Sequence, residues 1–248
     1  MARILELELL PQPDDTTCGA TCLHGVYGYY GDSLPLDDVV RQVAHLEEGG
    51  TLAVLLGCHA LRRGYRASLY SYNLQVLDPT WFRPPGVDLA GKLRAQAAAK
   101  PVQKLRVATE AYLEFLEMGG KVLFEDLTRR LIRSHLNNAT PILAGVSATY
   151  LYGCAREAGP RSDPDDVRGE PAGHFVVIAG YDRERRTVNV VDPLRSNPFA
   201  ESGRYEVHID RLIGSVFLGT LTYDANLLVI EPGEAPGKRR HVDPDRRQ

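Results

Sequence analysis

The first ten residues, Met1 to Leu10, alternate polar and apolar side chains, the period-two pattern of a strand. The turn-rich run Pro11-Gln12-Pro13-Asp14-Asp15-Thr16-Thr17 follows and is full of helix N-cap residue types. A helix is therefore expected from about Thr17 or Cys18 to Tyr30, stopped by Gly31. A second begins near Pro35-Leu36-Asp37-Asp38, carries Val39, Val40 and Val43 at helical spacing, and is broken by Gly49-Gly50-Thr51. Thr51 is the expected cap of a third helix, Leu52 to Arg63, closed by Gly64. Tyr65 to Tyr72 alternates like a strand.

From Leu77 to Thr140 the pattern changes. Pro79, Pro84, Pro85 and Gly86 mark an irregular stretch. Helical periodicity follows at Leu89 to Ala99, Val107 to Met118 and Phe124 to Asn137, the last with Leu127, Leu131, Ile132 and Leu136 on one face. These helices read as an insertion over about residues 77–140 rather than a separate fold. The last third is β-rich. Pro141 to Val146 is a buried-strand pattern, and the nearly unbroken apolar run His174 to Tyr181 predicts a strand covered on both faces. The polar turn Asp182 to Arg186 leads to a strand at Thr187 to Val191. Further strands are expected at Arg204 to His208, Val216 to Tyr223 and Asn226 to Ile230. Helices first and an antiparallel sheet last make an α+β protein. One domain is expected over residues 1–231, with a disordered tail over residues 232–248.

Composition narrows the function. A 44% hydrophobic and 25% charged chain with net charge -3 gives no electrostatic reason to bind nucleic acid. No apolar run is long enough to span a bilayer, and the charged N-terminus does not resemble a secretory signal, so no membrane partner is expected. Four cysteines, Cys18, Cys22, Cys58 and Cys154, are too few for a disulfide scaffold of this length. A reduced, cytoplasmic protein with free thiols is the expectation.

Cys18 falls at the predicted start of the first helix, where unpaired N–H groups and the helix dipole favour a thiolate. Gly19 removes bulk beside the sulfur. Gln12 lies across a short turn, placed to reach over the thiol and, with the Cys18 backbone N–H, to bind the oxyanion of a tetrahedral intermediate. Taken alone, Cys18 also fits a small buried residue at a helix start, and Cys22, one turn on, reads as packing. A metal site from Cys18, Cys22 and His24 lacks a second Cys/His pair, and no cofactor is implied. His174 opens the most apolar strand. A hairpin folded about the Asp182–Arg186 turn brings His174 and Asp192 to its open end within about one residue of register. Asp192, followed by Pro193, is then expected to accept the Nδ1 hydrogen of His174 and leave Nε2 to meet the thiol.

Gln12-Pro13-Asp14-Asp15-Thr16-Thr17-Cys18-Gly19-Ala20-Thr21-Cys22, Tyr29-Tyr30-Gly31 and Gly50-Thr51 resemble the bacteriocin-processing cysteine peptidases. Gly173-His174-Phe175-Val176-Val177-Ile178 and Val190-Val191-Asp192-Pro193 resemble the second half of that family's signature. Those enzymes remove double-glycine leader peptides and often form the N-terminal domain of peptide-exporting ABC transporters. The resemblance implies a papain-like fold: a helical half bearing the nucleophile, and an antiparallel sheet bearing base and orienter. It implies catalytic roles for Gln12 (oxyanion), Cys18 (nucleophile), His174 (base) and Asp192 (orienter), and a peptide or peptide-like substrate. Thr17 stands where an acidic residue commonly precedes the cysteine, the stretch 77–140 exceeds a minimal domain, and no Gly-x-x-x-x-Gly-Lys-Ser/Thr loop is present. A freestanding relative is expected. A transglutaminase-like acyl transferase would use the same residues, and a non-catalytic peptide-binding module is a third reading.

The segment Gly153 to Gly173 holds three Pro, four Gly, five acidic residues and three Arg. It predicts a loop without structure of its own, ending on His174, that acts as a mobile flap over the active-site cleft.

Overall fold

The structure is a computed structural model, described over residues 3–233 apart from residues 48, 84 and 160. The chain enters through β1 (Arg3–Ile4), paired antiparallel with the strand that carries His174. The alternation expected up to Leu10 survives as burial, with Leu5 and Leu7 inside and Glu6 and Glu8 outside, although the ladder itself covers two residues. Next come α1 (Cys18–Tyr29), α2 (Leu36–Gln42), α3 (Ala53–Arg62) and β2 (Tyr65–Ser71). Gly31 adopts φ +78°, the left-handed conformation that ends α1. Thr51 does not cap α3. Leu52 holds that position, and the Thr51 hydroxyl instead donates to Ala44 O at 2.7 Å, closing the loop before the helix.

The insertion contributes α4 (Leu89–Ala99), α5 (Gln103–Glu117), β3 (Lys121–Leu123) and α6 (Arg129–Asn137). It is not wholly helical, because β3 joins the main sheet parallel to β2. The last helix begins five residues later than its apolar pattern, where the Thr128 hydroxyl accepts from Leu131 N at 3.1 Å. Neighbouring β2 residues show the sheet covered on both faces. Ser71 Oγ meets Tyr112 OH of α5 at 3.1 Å, while Tyr70 OH meets His135 Nε2 of α6, also at 3.1 Å. The buried apolar residues of α5 and α6 belong to the same core as Leu23, Leu56 and Val177.

The final part comprises β4 (Ile142–Ser147), α7 (Ala148–Tyr152), a two-stranded hairpin of β5 (Glu157–Ala158) and β6 (Asp163–Pro164), β7 (Gly173–Asp182), β8 (Thr187–Val191), β9 (Arg204–His208), α8 (Ile209–Leu218) and β10 (Asn226–Pro232). The main sheet runs β3-β2-β10-β4-β7-β8-β9, with only β2/β3 parallel, and β1 adds to β7. Burial of β7 from His174 to Tyr181 matches its unbroken apolar run.

The strand expected at Val216 to Tyr223 is instead the end of α8 and a 3-10 turn, Gly219–Thr222. Its β-branched and aromatic residues favour a strand locally. The helical repeat starts upstream, at buried Ile209, Leu212, Ser215 and Val216, and packing on β4 decides the outcome. The segment 153–173 is also more ordered than its composition indicates. Besides the β5/β6 hairpin, Asp165 accepts from Val167 N, Arg168 N and the Arg168 guanidinium, and Arg156 Nη2 donates to Asp166 O at 2.6 Å. The tail expected at 232–248 begins in fact with a strand residue, Pro232, and its remainder beyond Gly233 lies outside the described residues.

Candidate active site

The nucleophile candidate opens a helix whose entry is tightly hydrogen-bonded. Thr17 Oγ1 donates to Asp14 O at 3.0 Å, and Asp14 Oδ1 accepts from the backbone and hydroxyl of Thr16 at 2.8 and 2.7 Å. Cys18 is thereby the first residue of α1, at the helix start where the backbone N–H groups have no partner within the helix. The buried face of α1 packs on β7, which brings the thiol to the strand bearing His174.

β7 and β8 pair as Val177↔Val191 and Ile178↔Val190, then slip at a bulge to Gly180↔Asn189. Extending the first register puts Asp192 two positions off a direct partner of His174, a diagonal with about 7–8 Å between side-chain roots. At that reach the far ring nitrogen meets the carboxylate. His174 Nε2 lies 2.9 Å from Asp192 Oδ1, both groups being buried. Cys18 interacts electrostatically with the ring, and with Nε2 on the carboxylate Nδ1 is the nitrogen left to meet the thiol. The expected orientation, with Nδ1 on the carboxylate, is therefore reversed.

Asp192 accepts three further bonds: from Leu194 N at 3.0 Å, from Tyr152 OH at 2.6 Å and from Tyr205 OH at 2.7 Å. Burial raises its pKa, but the bonds and charge of His174, with Tyr152 and Leu194, outweigh it and hold the carboxyl below its ordinary value. For His174, burial alone disfavours the charged ring. The charge interaction with Cys18 and the bond and charge of Asp192 overcome this and push its pKa up to about 10, so the site favours the protonated ring. Tyr152 and Tyr205 went unnoticed in the sequence. Registering β9 on β8 would have found Tyr205, which pairs with Val190, two residues before Asp192. Tyr152, on a five-residue helix, leaves no such trace.

Gln12 is 3% exposed and tied to the chain beyond Asp192. Its N–H donates to Pro193 O at 2.8 Å, and its carbonyl accepts from Arg195 Nε at 2.7 Å. Its Nε2 gives one hydrogen to Asp14 O at 2.9 Å and has a second to offer. Gln12 and His174 line a cavity of about 460 Å3 that also touches Cys154, Glu157 and Arg161 of the 153–173 segment. Cys18 and His174 line a second, of about 250 Å3, with Thr51, Lys104 and Asp224. Cys22 is a packing residue. Its Sγ donates to Phe175 O at 3.3 Å, and burial raises its pKa well above that of an ordinary thiol. Among the described residues no group of three His, Cys, Asp or Glu side chains could hold a metal, and no helix is long and apolar enough to cross a membrane.

Residues 90–208 match the sequence model of the family described as Peptidase_C39 like family. That segment contains His174 and Asp192; Gln12 and Cys18 precede it. No curated protein matches the sequence. Among solved structures, one described as a C39-like peptidase from Bacillus anthracis aligns over 93% of this chain and 98% of its own, at 11% identity and TM-score 0.51. A double glycine motif protease from an AMS/PCAT transporter, in complex with the leader peptide, aligns over 93% and 94%, at 14% identity and TM-score 0.44. The peptidase domain of Streptococcus ComA, a bi-functional ABC transporter of a quorum-sensing pathway, aligns over 91% and 98%, at 14% identity and TM-score 0.43. Residues 90–208 thus resemble the C39-like peptidase family, and the chain as a whole shares its α+β fold with the Bacillus protein.

Proposed function

We propose that the protein cleaves a peptide bond with Cys18 as nucleophile, His174 as acid and base, Asp192 as orienter and Gln12 as oxyanion donor. The observation that carries this reading is the His174 ring, hydrogen-bonded to Asp192 and sharing one cavity wall with Cys18, the residue that opens α1 and whose charge acts on the ring. The thiolate of Cys18 attacks the carbonyl carbon, and its electron pair forms the S–C bond while the carbonyl oxygen becomes an oxyanion. The Cys18 backbone N–H and the second Nε2 hydrogen of Gln12 stabilise that charge. Nδ1–H of the imidazolium protonates the leaving amine as the C–N bond breaks, which leaves a thioester. Neutral Nδ1 then takes a proton from water, the hydroxide attacks the thioester, and the acid product departs with the thiolate–imidazolium pair restored. Asp192 keeps Nε2–H bonded throughout.

Cavities on both sides of His174 support an extended peptide as substrate. The shared core supports one domain over residues 3–232, with the insertion as part of it, and buried free thiols suit a reducing, cytoplasmic setting. Intact-mass analysis with a cysteine-directed probe tests the reading, run with and without peptide and added amines. Cys18 should be labelled first and blocked in the acyl state, and hydrolysis should exceed transfer to the amine. Gln12→Ala should slow acylation about 10²–10³-fold. Full turnover by Cys18→Ala would end the covalent mechanism.

A further inference from the structure

Asp224 is a buried carboxylate with no part in that reaction. It is 7% exposed and forms part of the wall of the roughly 250 Å3 cavity that holds Cys18 and His174. Two glycines make room for it. A Cβ on Gly173 would collide with its carboxylate, and one on Gly145 would come within 2.5 Å of its carbonyl oxygen. Its Oδ2 accepts from Thr222 Oγ1 at 2.5 Å. Burial drives its pKa up to about 7, against the Thr222 bond and the charges of Lys104 and His174. Lys104 of the cavity wall, on α5, seats its Nζ over the Tyr223 ring, 4.8 Å from the centroid. A carboxylate held beside a nucleophile by one neutral hydroxyl gains most from a cation that arrives with a ligand. Leu46 and Phe175 of the same wall suit the methylene stem of a long basic side chain.

We infer that Asp224 anchors a subsite for a Lys or Arg side chain of the peptide substrate, next to the bond that Cys18 attacks. The inference rests on the peptidase reading of this cleft and names part of its substrate class. Gly173 links the two features, since it precedes the base and its missing side chain admits the carboxylate. Asp15, His174 and Lys104 also face the cavity. Their charges also act on a Lys side chain, so the change in the Lys/norleucine ratio on Asp224→Asn, and not the ratio itself, isolates Asp224.

The test is calorimetric, in the Cys18→Ala protein, with acetylated, amidated Ala/Gly octapeptides carrying one Lys, norleucine or Glu at each position in turn. At one position Lys should bind about 10–100-fold tighter than norleucine, as a charge-assisted hydrogen bond does. The ratio should grow from pH 6 to pH 8 and fall near unity in Asp224→Asn. Lys104→Gln, which leaves the carboxylate and removes its resident competitor, should widen the ratio, and it stands as the test if Asp224→Asn does not fold. Equal affinities at every position, absence of binding by every peptide, or a Lys preference that survives Asp224→Asn overturns the inference. If the preference holds but the parent protein cleaves nothing, the proposed reaction fails and the subsite stands.

Discussion

Asp192 and Asp224 are both buried, at 4% and 7% exposure, and the charge of His174 bears on both, yet their protons are driven in opposite directions. Burial pushes each pKa up. Asp192 meets that push with donors from His174, Leu194, Tyr152 and Tyr205 and ends below the ordinary carboxyl value. Asp224, with the Thr222 hydroxyl on its Oδ2, ends near 7. Burial therefore does not decide the charge of an acid in this cleft; the donors aimed at it do. A saturated carboxylate is a fixed electrostatic partner, whereas an under-supplied one stays sensitive to whatever enters the cavity.

Removing the shared neighbour is the most severe way to break the comparison. His174→Ala should lower turnover by several orders of magnitude, as loss of a catalytic imidazole does. In the parent protein, activity should fall as pH rises through about 10, where the imidazolium loses its proton. The thiolate contributes to that elevation, so in Cys18→Ala the ring should titrate at lower pH, read by NMR of the His174 ring protons. A ring that titrates unchanged in Cys18→Ala would separate the two groups and undo the ion pair.

A gentler change should make Asp192 resemble Asp224. Tyr152→Phe with Tyr205→Phe removes two of its donors and leaves a buried carboxylate short of partners. The double variant should lose about 10–100-fold in kcat with little change in KM, because orientation and not binding is disturbed. A depressed carboxyl contributes stability that is present above its unfolded value of 3.8 and is lost as pH falls through its lower folded value. With the tyrosines gone the folded value rises, so acid unfolding should begin at higher pH. An unmoved acid midpoint together with normal kcat would mean that the phenols only fill space.

The same contrast explains what the sequence disclosed. The expected placement of Cys18 at the start of α1, and of β7 and β8 around a tight turn, depends on local signals: N-cap types, an unbroken apolar run and a polar turn of fixed length. The meeting of His174 and Asp192 followed from hairpin register, but which ring nitrogen takes the carboxylate depended on a two-position offset and a bulge that no pattern encodes. α8 was hidden because Val216 to Tyr223 has strand-forming residues on a helical repeat that begins earlier. Tyr152 and Asp224 reach the site from a five-residue helix and from the turn before β10, far apart in sequence. Their roles exist only once the sheet has assembled.

The smallest expected effect is on stability. Asp224 has a folded pKa near 7 against 3.8 for the ordinary group, so its contribution is fully present below 3.8 and is lost as pH rises through about 7. At pH 5 the buried acid is neutral, and Asp224→Asn should change the urea midpoint little. At pH 8 the parent protein holds a buried charge and the variant does not, so the variant should be more stable. The gain should be about 1–2 kcal/mol, below the roughly 4 kcal/mol of the full pKa displacement, because Asn leaves its own amide to satisfy beside Thr222. A residue kept at that cost in the wall of the cavity that holds Cys18 and His174 fits a part in recognition rather than in folding. Equal destabilisation of Asp224→Asn at both pH values would show that the carboxylate holds the fold together, and the two acids would then differ in degree only.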